Sequence, residues 1–542
     1  MKNIFLYILI LVSFITKAQE TFIVNGTHNN NHNAFAFTNA TIHIDYQTII
    51  ENGTLVIKDG KITAVGESIE VPKNAVIQNL KGKHLYPSLI DLYSDYGITK
   101  PVKAKTHKQG PQIGTTTKGA YNWNQAIKPE IDAGQLFKVD DKKAAELRKL
   151  GFGIVLTHQQ DGIMRGTSAL VTLANDQAQI VMLKDNVANH LSFNKGTSTQ
   201  DYPGSLMGMI ALIRQTYYDV DWIFNNKTVD EYNLSLNTII DNWQMPQIFE
   251  ANDKLSILRA DKIGDEFEMQ YIFKGKGDEY QRIKEVKATG GKLIIPINFP
   301  KAYEVTDPYN ALKISYSDVK NWELAPFNLG IVAKNEVDFS ITASDLKDKK
   351  MFFKNLRRAI KSGLSEEDAL KALTYSPANF INEYERIGSL AEGKLANFII
   401  TSETLFAEKN IIHENWIKGK QHVIADYNAI DIKGNYDLNL GEKIYKLKVT
   451  GELKKLKGSI EILGTKDSKP DTNKVSVSIS LSGNLVSLSF NPKDDFEKGT
   501  IRLSGTITNN AGIWDGNGQL SNGDWIKWVA IKGNETPSKK KD

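Results

Sequence analysis

Tyr86-Pro87-Ser88-Leu89-Ile90-Asp91-Leu92-Tyr93-Ser94-Asp95-Tyr96-Gly97 is the stretch that decides how the rest of this chain is read. Its apolar run reads as a strand, and side chains two apart on a strand point the same way. Tyr93 and Asp95 therefore share a side. From here to about residue 385, apolar strand-like runs alternate with helical patterns, as a (β/α) barrel requires. The further strand candidates are 153–157, 255–258, 269–273, 293–296 and 337–341. Between Asp140 and Leu150, Ala144, Ala145 and Leu147 recur at helical spacing before a stop at Gly151. The region from about 165 to 250 yields no clean strand count, and no internal repeat is visible.

Upstream, two β-rich runs flank Asp59-Gly60, a hairpin signal. Downstream, Gly363-Leu364-Ser365 opens a helix with a capping box from Ser365 to Asp368. Ala369-Leu370, Thr374 and Pro377-Ala378 follow, then Gly388-Ser389-Leu390-Ala391-Glu392-Gly393-Lys394-Leu395-Ala396-Asn397-Phe398. In these motifs and their order the chain resembles the amidohydrolase superfamily over roughly residues 35–440. The resemblance implies an α/β fold: a (β/α)8 TIM-type barrel over 86–385, and a composite β-sandwich from 35–85 and 386–440.

In that family the first strand carries His-x-His, two metal ligands. Here the positions hold Tyr93 and Asp95, a phenol that titrates near 10 and a single carboxylate. The resemblance places the strand-five histidine at Arg259 and the strand-six histidine at Lys274, followed by Glu279-Tyr280. It places the strand-eight carboxylate at Asp345, or one residue back at Ser344. No metal or other cofactor is expected; zinc or a similar dication belongs only to the alternative reading below. None of the nine histidines forms His-x-His, and only His158 directly follows a barrel strand. Buried unpaired charge is costly, so Asp95, Arg259 and Lys274 are expected to pair where the metals would sit. Their register leaves open that they face solvent. The loop after the strand at 153–157 offers His158, Asp161 and Arg165 as candidates to bind an anionic or amide ligand, or simply to tie the loop down.

The chain has 542 residues, a net charge of +4, 24% charged residues and no cysteine. Several domains are expected, thiol chemistry is excluded, and no electrostatic footprint for nucleic acid is present. Lys2, an apolar run to Ile15 and Thr16-Lys17-Ala18 read as a signal peptide, 1–18, implying a periplasmic or secreted protein with no membrane span after cleavage. A polar lead-in, 19–34, contains His28 and His32. Past 440, period-two runs separated by Asn-Gly turns indicate a separate β-sandwich over 441–535, then a basic tail, 536–542. Trp514, Trp525 and Trp528 could form a sugar platform, though core or edge packing is the favoured reading. No Gly-x-Ser-x-Gly elbow or phosphate loop is present. The functional expectation is a metal-ligand-depleted amidohydrolase module that scaffolds or regulates an active one. The alternative is a hydrolase of C–N bonds, imidazolonepropionase- or prolidase-like, with an altered site.

Overall fold

A computed structural model describes residues 34–104, 110–226, 232–425, 431–452, 455–461, 474–482, 485–492, 499–508 and 512–533. The signal segment, the lead-in up to residue 33 and the basic tail lie outside the described residues, as do His28, His32 and His107. The chain divides into two compact units, Met1–Ile424 and Ala425–Asp542.

In the first unit both flanks of the barrel meet in one sheet of eight strands. Phe35–His43 pairs antiparallel with Ile49–Lys58 and parallel with His84–Pro87, which pairs antiparallel with Phe398–Thr401. The strand that ends the leading flank thus pairs directly with the first strand of the trailing one, and the sequence motifs had placed the two flanks together. Asp59 and Gly60 both adopt positive φ (51° and 75°), which closes the hairpin to Lys61–Gly66. Phe37, Ile42, Leu55, Phe398 and Trp416 form the buried core of this sheet.

Eight strand segments line the barrel in chain order, split at Ser168 between a four-stranded and a six-stranded sheet: Leu89–Ser94, Phe152–Thr157, 164–172, Asn189–Ser192, Gln247–Glu250, Tyr271–Lys274, Lys292–Pro296 and Phe339–Thr342. Seven run parallel. The third, broken at Ser168 into Met164–Thr167 and Ala169–Thr172, is antiparallel to both neighbours, which corrects the expected (β/α)8 pattern. Only 158–163 connect the second strand to the third. A parallel return needs a crossover of a dozen or more residues, so this short link can only fold back as a hairpin. Gly162 at φ 104° and Gly166 at φ 81° accommodate the return; a Cβ on Gly166 would lie 1.9 Å from the Ile131 carbonyl oxygen. The eighth and first strands are joined by the buried Asp91 carboxylate, which accepts from Thr342 Oγ1 at 2.6 Å and the Ala343 amide at 3.0 Å.

The strand expected at 255–258 is instead helix. Asp253 accepts from the Ser256 amide at 2.6 Å and caps Lys254–Glu266, whose Ile257, Ala260 and Ile263 are buried at helical spacing. The fifth strand lies just ahead, at Gln247–Glu250. The helix read between Asp140 and Leu150 forms as Asp141–Arg148, and Ser365 caps Glu366–Leu373.

The second unit is a closed barrel of eight antiparallel strands rather than a sandwich, running from Gly434–Leu440 to Trp525–Lys532, with those two paired to each other. Its first strand falls before the boundary expected at 440. Alternate residues such as Tyr436, Leu438, Tyr445 and Leu447 fill the interior, as an eight-stranded barrel permits. Trp514 and Trp528 are buried in that core while Trp525 is exposed, so the three form no common platform. No helix among the described residues is long and apolar enough to cross a membrane.

Candidate functional site

Period two along the barrel strands sorts the interior into layers. Ile154 and Leu156 lead up to His158, Ile248 to Glu250 and Ile272 to Lys274. The isoleucines, with Leu156 and Ile294, form an apolar floor. Above it, at the carboxyl ends of the parallel strands where barrel function concentrates, lies a layer of polar and charged side chains.

Arg165 is the centre of that layer, delivered by the reversed third strand. Its side chain is 3% exposed; one guanidinium nitrogen lies 2.7 Å from Glu250 Oε2 and another donates to the Tyr93 hydroxyl at 2.8 Å. Its Nε donates to the Gly162 carbonyl at 3.1 Å. Lys274, 1% exposed, places Nζ 2.8 Å from Asp345 Oδ2, 3.9 Å from Glu250 Oε1 and 5.2 Å from the Tyr93 ring centroid. Lys276 holds Asp345 from the solvent side at 3.0 Å. Burial alone would raise the Glu250 carboxyl, but Arg165 and Lys274 outweigh it and hold the group below the usual carboxylate range. Asp345 is likewise held low against its burial by Lys274 and Lys276. Burial pushes the Tyr93 phenol up, so it stays protonated, a donor or acceptor but not an anion.

Beside this ionic chain two imidazoles stack. The His158 and His190 ring centroids are 3.5 Å apart at 12°, and Tyr93 meets His158 edge-on at 4.7 Å. Both rings are fully buried, and none of their four nitrogens has a hydrogen-bond partner. Burial, then for His158 its neighbour His190, and for both the Arg165 charge, depress their basicity far below that of free imidazole. They are neutral.

The structure brings Tyr93, Lys274, Asp345, His158 and Arg165 together, and adds Glu250 and His190. It does not bring in Asp95, which pairs with Lys100 at 3.1 Å with both side chains more than a third exposed. Arg259 lies exposed on the helix Lys254–Glu266, far from the strand position assigned to it. The expected Asp95–Arg259–Lys274 pairing is therefore corrected: Glu250 and Arg165 take those roles around Lys274. Ser344 is half-buried with its hydroxyl unpartnered, beside Asp345 at φ 63°. Asp161 ties down the loop, accepting from Thr197 and from Lys128. Glu250 was overlooked because its short strand was passed over for 255–258; the acid ending the apolar pair Ile248-Phe249 was its signal. His190 lay in the region without a clean strand count.

Two acids at this mouth could in principle hold a dication. Each is already bound by a cation, Arg165 or Lys274, within the same cluster. Two unit charges at 4 Å interact by about 4 kcal/mol at an effective dielectric near 20, and a dication would meet twice that repulsion from each cation. Among the described residues no three histidine, aspartate or glutamate side chains converge as a metal site. The donor set does not fit a zinc-type ion.

A sequence model of the amidohydrolase family matches residues 329–422, spanning the eighth strand, the last barrel helices and the strands that return to the sheet. The amidohydrolase from Thermotoga maritima MSB8 matches the fold with a TM-score of 0.57 at 20% identity, over 71% of this chain and 99% of that one. A putative prolidase from Bifidobacterium longum follows at 0.42 and 12%, over 73% and 95% of the two chains. The β-aspartyl dipeptidase from Fervidobacterium islandicum AW-1, in complex with a β-Asp-Leu dipeptide, gives 0.41 and 14%, over 72% and 96%. No curated protein matches the sequence. The chain belongs to the amidohydrolase superfamily. It joins that superfamily's mixed α/β fold to a separate eight-stranded antiparallel barrel.

Proposed function

We propose that this protein is an exported, catalytically silent member of the superfamily that scaffolds or regulates an active, metal-bearing amidohydrolase. The observation that carries the reading is the Arg165–Glu250–Lys274–Asp345 chain, which fills the barrel mouth with mutually neutralised charge. A hydrolase of this superfamily needs that volume for a Lewis acid and its activated water. Here the volume is occupied by two cations, and the one phenol is held protonated. The nearby imidazoles are sealed from solvent, so they are not placed to take a proton from a reacting water.

The decisive experiment is turnover by purified protein supplied with zinc or manganese, against dipeptides and cyclic amides. The expected result is no hydrolysis above that of the Glu250→Gln variant, and full activity from a His-x-His amidohydrolase encoded beside it. Metal-dependent hydrolysis that Glu250→Gln abolishes would instead establish the C–N hydrolase with an altered site.

A further inference from the structure

The outer wall of the barrel carries a cavity of about 760 Å³, remote in composition from the charged mouth. Five aromatic side chains line it: Tyr217, Tyr218 and Phe224 from the helix Leu206–Asn225, then Trp243, and Phe267 at the end of Lys254–Glu266. The Phe267 ring centroid is 5.0 Å from those of both Tyr217 and Tyr218, and Tyr217 is 5.5 Å from Trp243. Phe224 is 61% exposed, an unusual state for an aromatic ring on a helix flank.

The charged side chains lining the cavity among the described residues are acidic. Asp221, Glu266 and Glu268 line the same cavity, and among the described residues no lysine or arginine does. Glu266 is neutralised by Arg214, which grips both its oxygens at 2.7 Å. Among the described residues, the Asp221 carboxylate accepts from Asn225 at 2.9 Å and Glu268 has no side-chain partner. The helix Leu206–Asn225 ends here with no base in its last turn, so its partial negative terminus adds to the acidic side. Aromatic faces are themselves negative, and they attract cations most strongly when these are poorly hydrated.

Each element selects the same ligand. Anions are repelled. A bare metal ion wants converging oxygens, which are not gathered here. We propose that this cavity binds an organic cation, an alkylated ammonium group whose methyl surface rests on the rings while its charge is shared by Asp221 and Glu268. Its volume is that of small-molecule pockets, so the source is a free small molecule rather than a protein side chain.

Calorimetry with choline, on the full chain, tests this. Saturable binding is expected, weakened at least tenfold for the uncharged isostere 3,3-dimethylbutan-1-ol. Phe224→Ala and Asp221→Asn, both at exposed positions, should each weaken choline at least fivefold with the fold unchanged by circular dichroism. Equal binding of the isostere, no saturation below 10 mM, or indifference to both variants would overturn the proposal. A trimethyllysine peptide that bound more than tenfold tighter than choline would overturn the small-molecule source and make the cavity a docking surface. None of these outcomes bears on turnover at the barrel mouth.

Discussion

Lys274 Nζ lies 2.8 Å from the Asp345 carboxylate, so a cation on the sixth strand is clasped by an acid that follows the eighth. Asp345 reaches it from a left-handed backbone (φ 63°), a conformation that aspartate tolerates better than most residues. The barrel mouth thus holds an ion-pair lattice, with Glu250 linking Lys274 to Arg165. The first prediction follows from how deeply that lattice is set. Glu250→Ala leaves the Arg165 guanidinium, 3% exposed, without its carboxylate, and should destabilise the first unit by about 3–5 kcal/mol in urea unfolding. Combining it with Arg165→Met should recover most of the loss, because no charge is then stranded. A loss under about 1 kcal/mol for the single variant would show that water reaches Arg165.

Asp95 makes the opposite case. Its partner Lys100 is 81% exposed, and such surface pairs contribute little. Asp95→Ala should therefore change stability by no more than about 0.5 kcal/mol. A large loss would place Asp95 back in the interior.

The stacked imidazoles supply a pH signature. His158 and His190 have folded-state pKa values well below the ordinary 6.5, burial being the main cause. The unfolded chain takes up protons near 6.5 that the folded chain refuses. Their contribution is therefore complete above pH 6.5 and is lost as pH falls below it, by about 1.4 kcal/mol per pH unit for each ring. Other buried groups titrate in the same range, so the clean measurement is a comparison. His158→Phe should keep the stack, remove two unpartnered nitrogens and leave stability at pH 7 within about 1 kcal/mol of the parent. As pH falls below 6.5 it should lose less stability than the parent, by at most about 1.4 kcal/mol per unit. Parallel pH curves for the two proteins would mean that His158 is not held neutral.

Legibility in the sequence followed locality. The Asp59-Gly60 hairpin, the helix past Asp140, the Ser365 cap and the strands near 153, 271, 293 and 339 are written in adjacent residues, and they formed. The fifth strand was missed because Leu255-Ser256-Ile257-Leu258 carries both periods at once, and the deciding group, Asp253, lies outside the run. Reversal of the third strand is set by the six residues 158–163, a length that was legible but not used. Sandwich and closed barrel share one alternation; what separates them is the pairing of Gly434–Leu440 with Trp525–Lys532, ninety residues away in chain and unsignalled by either. Among site residues, Tyr93, Lys274 and Asp345 came from motif register, whereas Arg165 met Glu250 only through the reversed strand.

The last prediction asks whether histidines alone would restore a metal site. In Tyr93→His/Asp95→His the second imidazole would replace a side chain that now faces Lys100 near the surface, not the lattice. The first would lose the hydroxyl that accepts from Arg165. Arg165 and Lys274 would still stand in the mouth, each repelling a dication, while Glu250 and Asp345 remain engaged as their counter-ions. Elemental analysis after dialysis against zinc should therefore find well under one ion per chain. Stoichiometric zinc in the double variant would mean that the two acids release their cations for a metal, and that the mouth is a reversible site rather than a filled one.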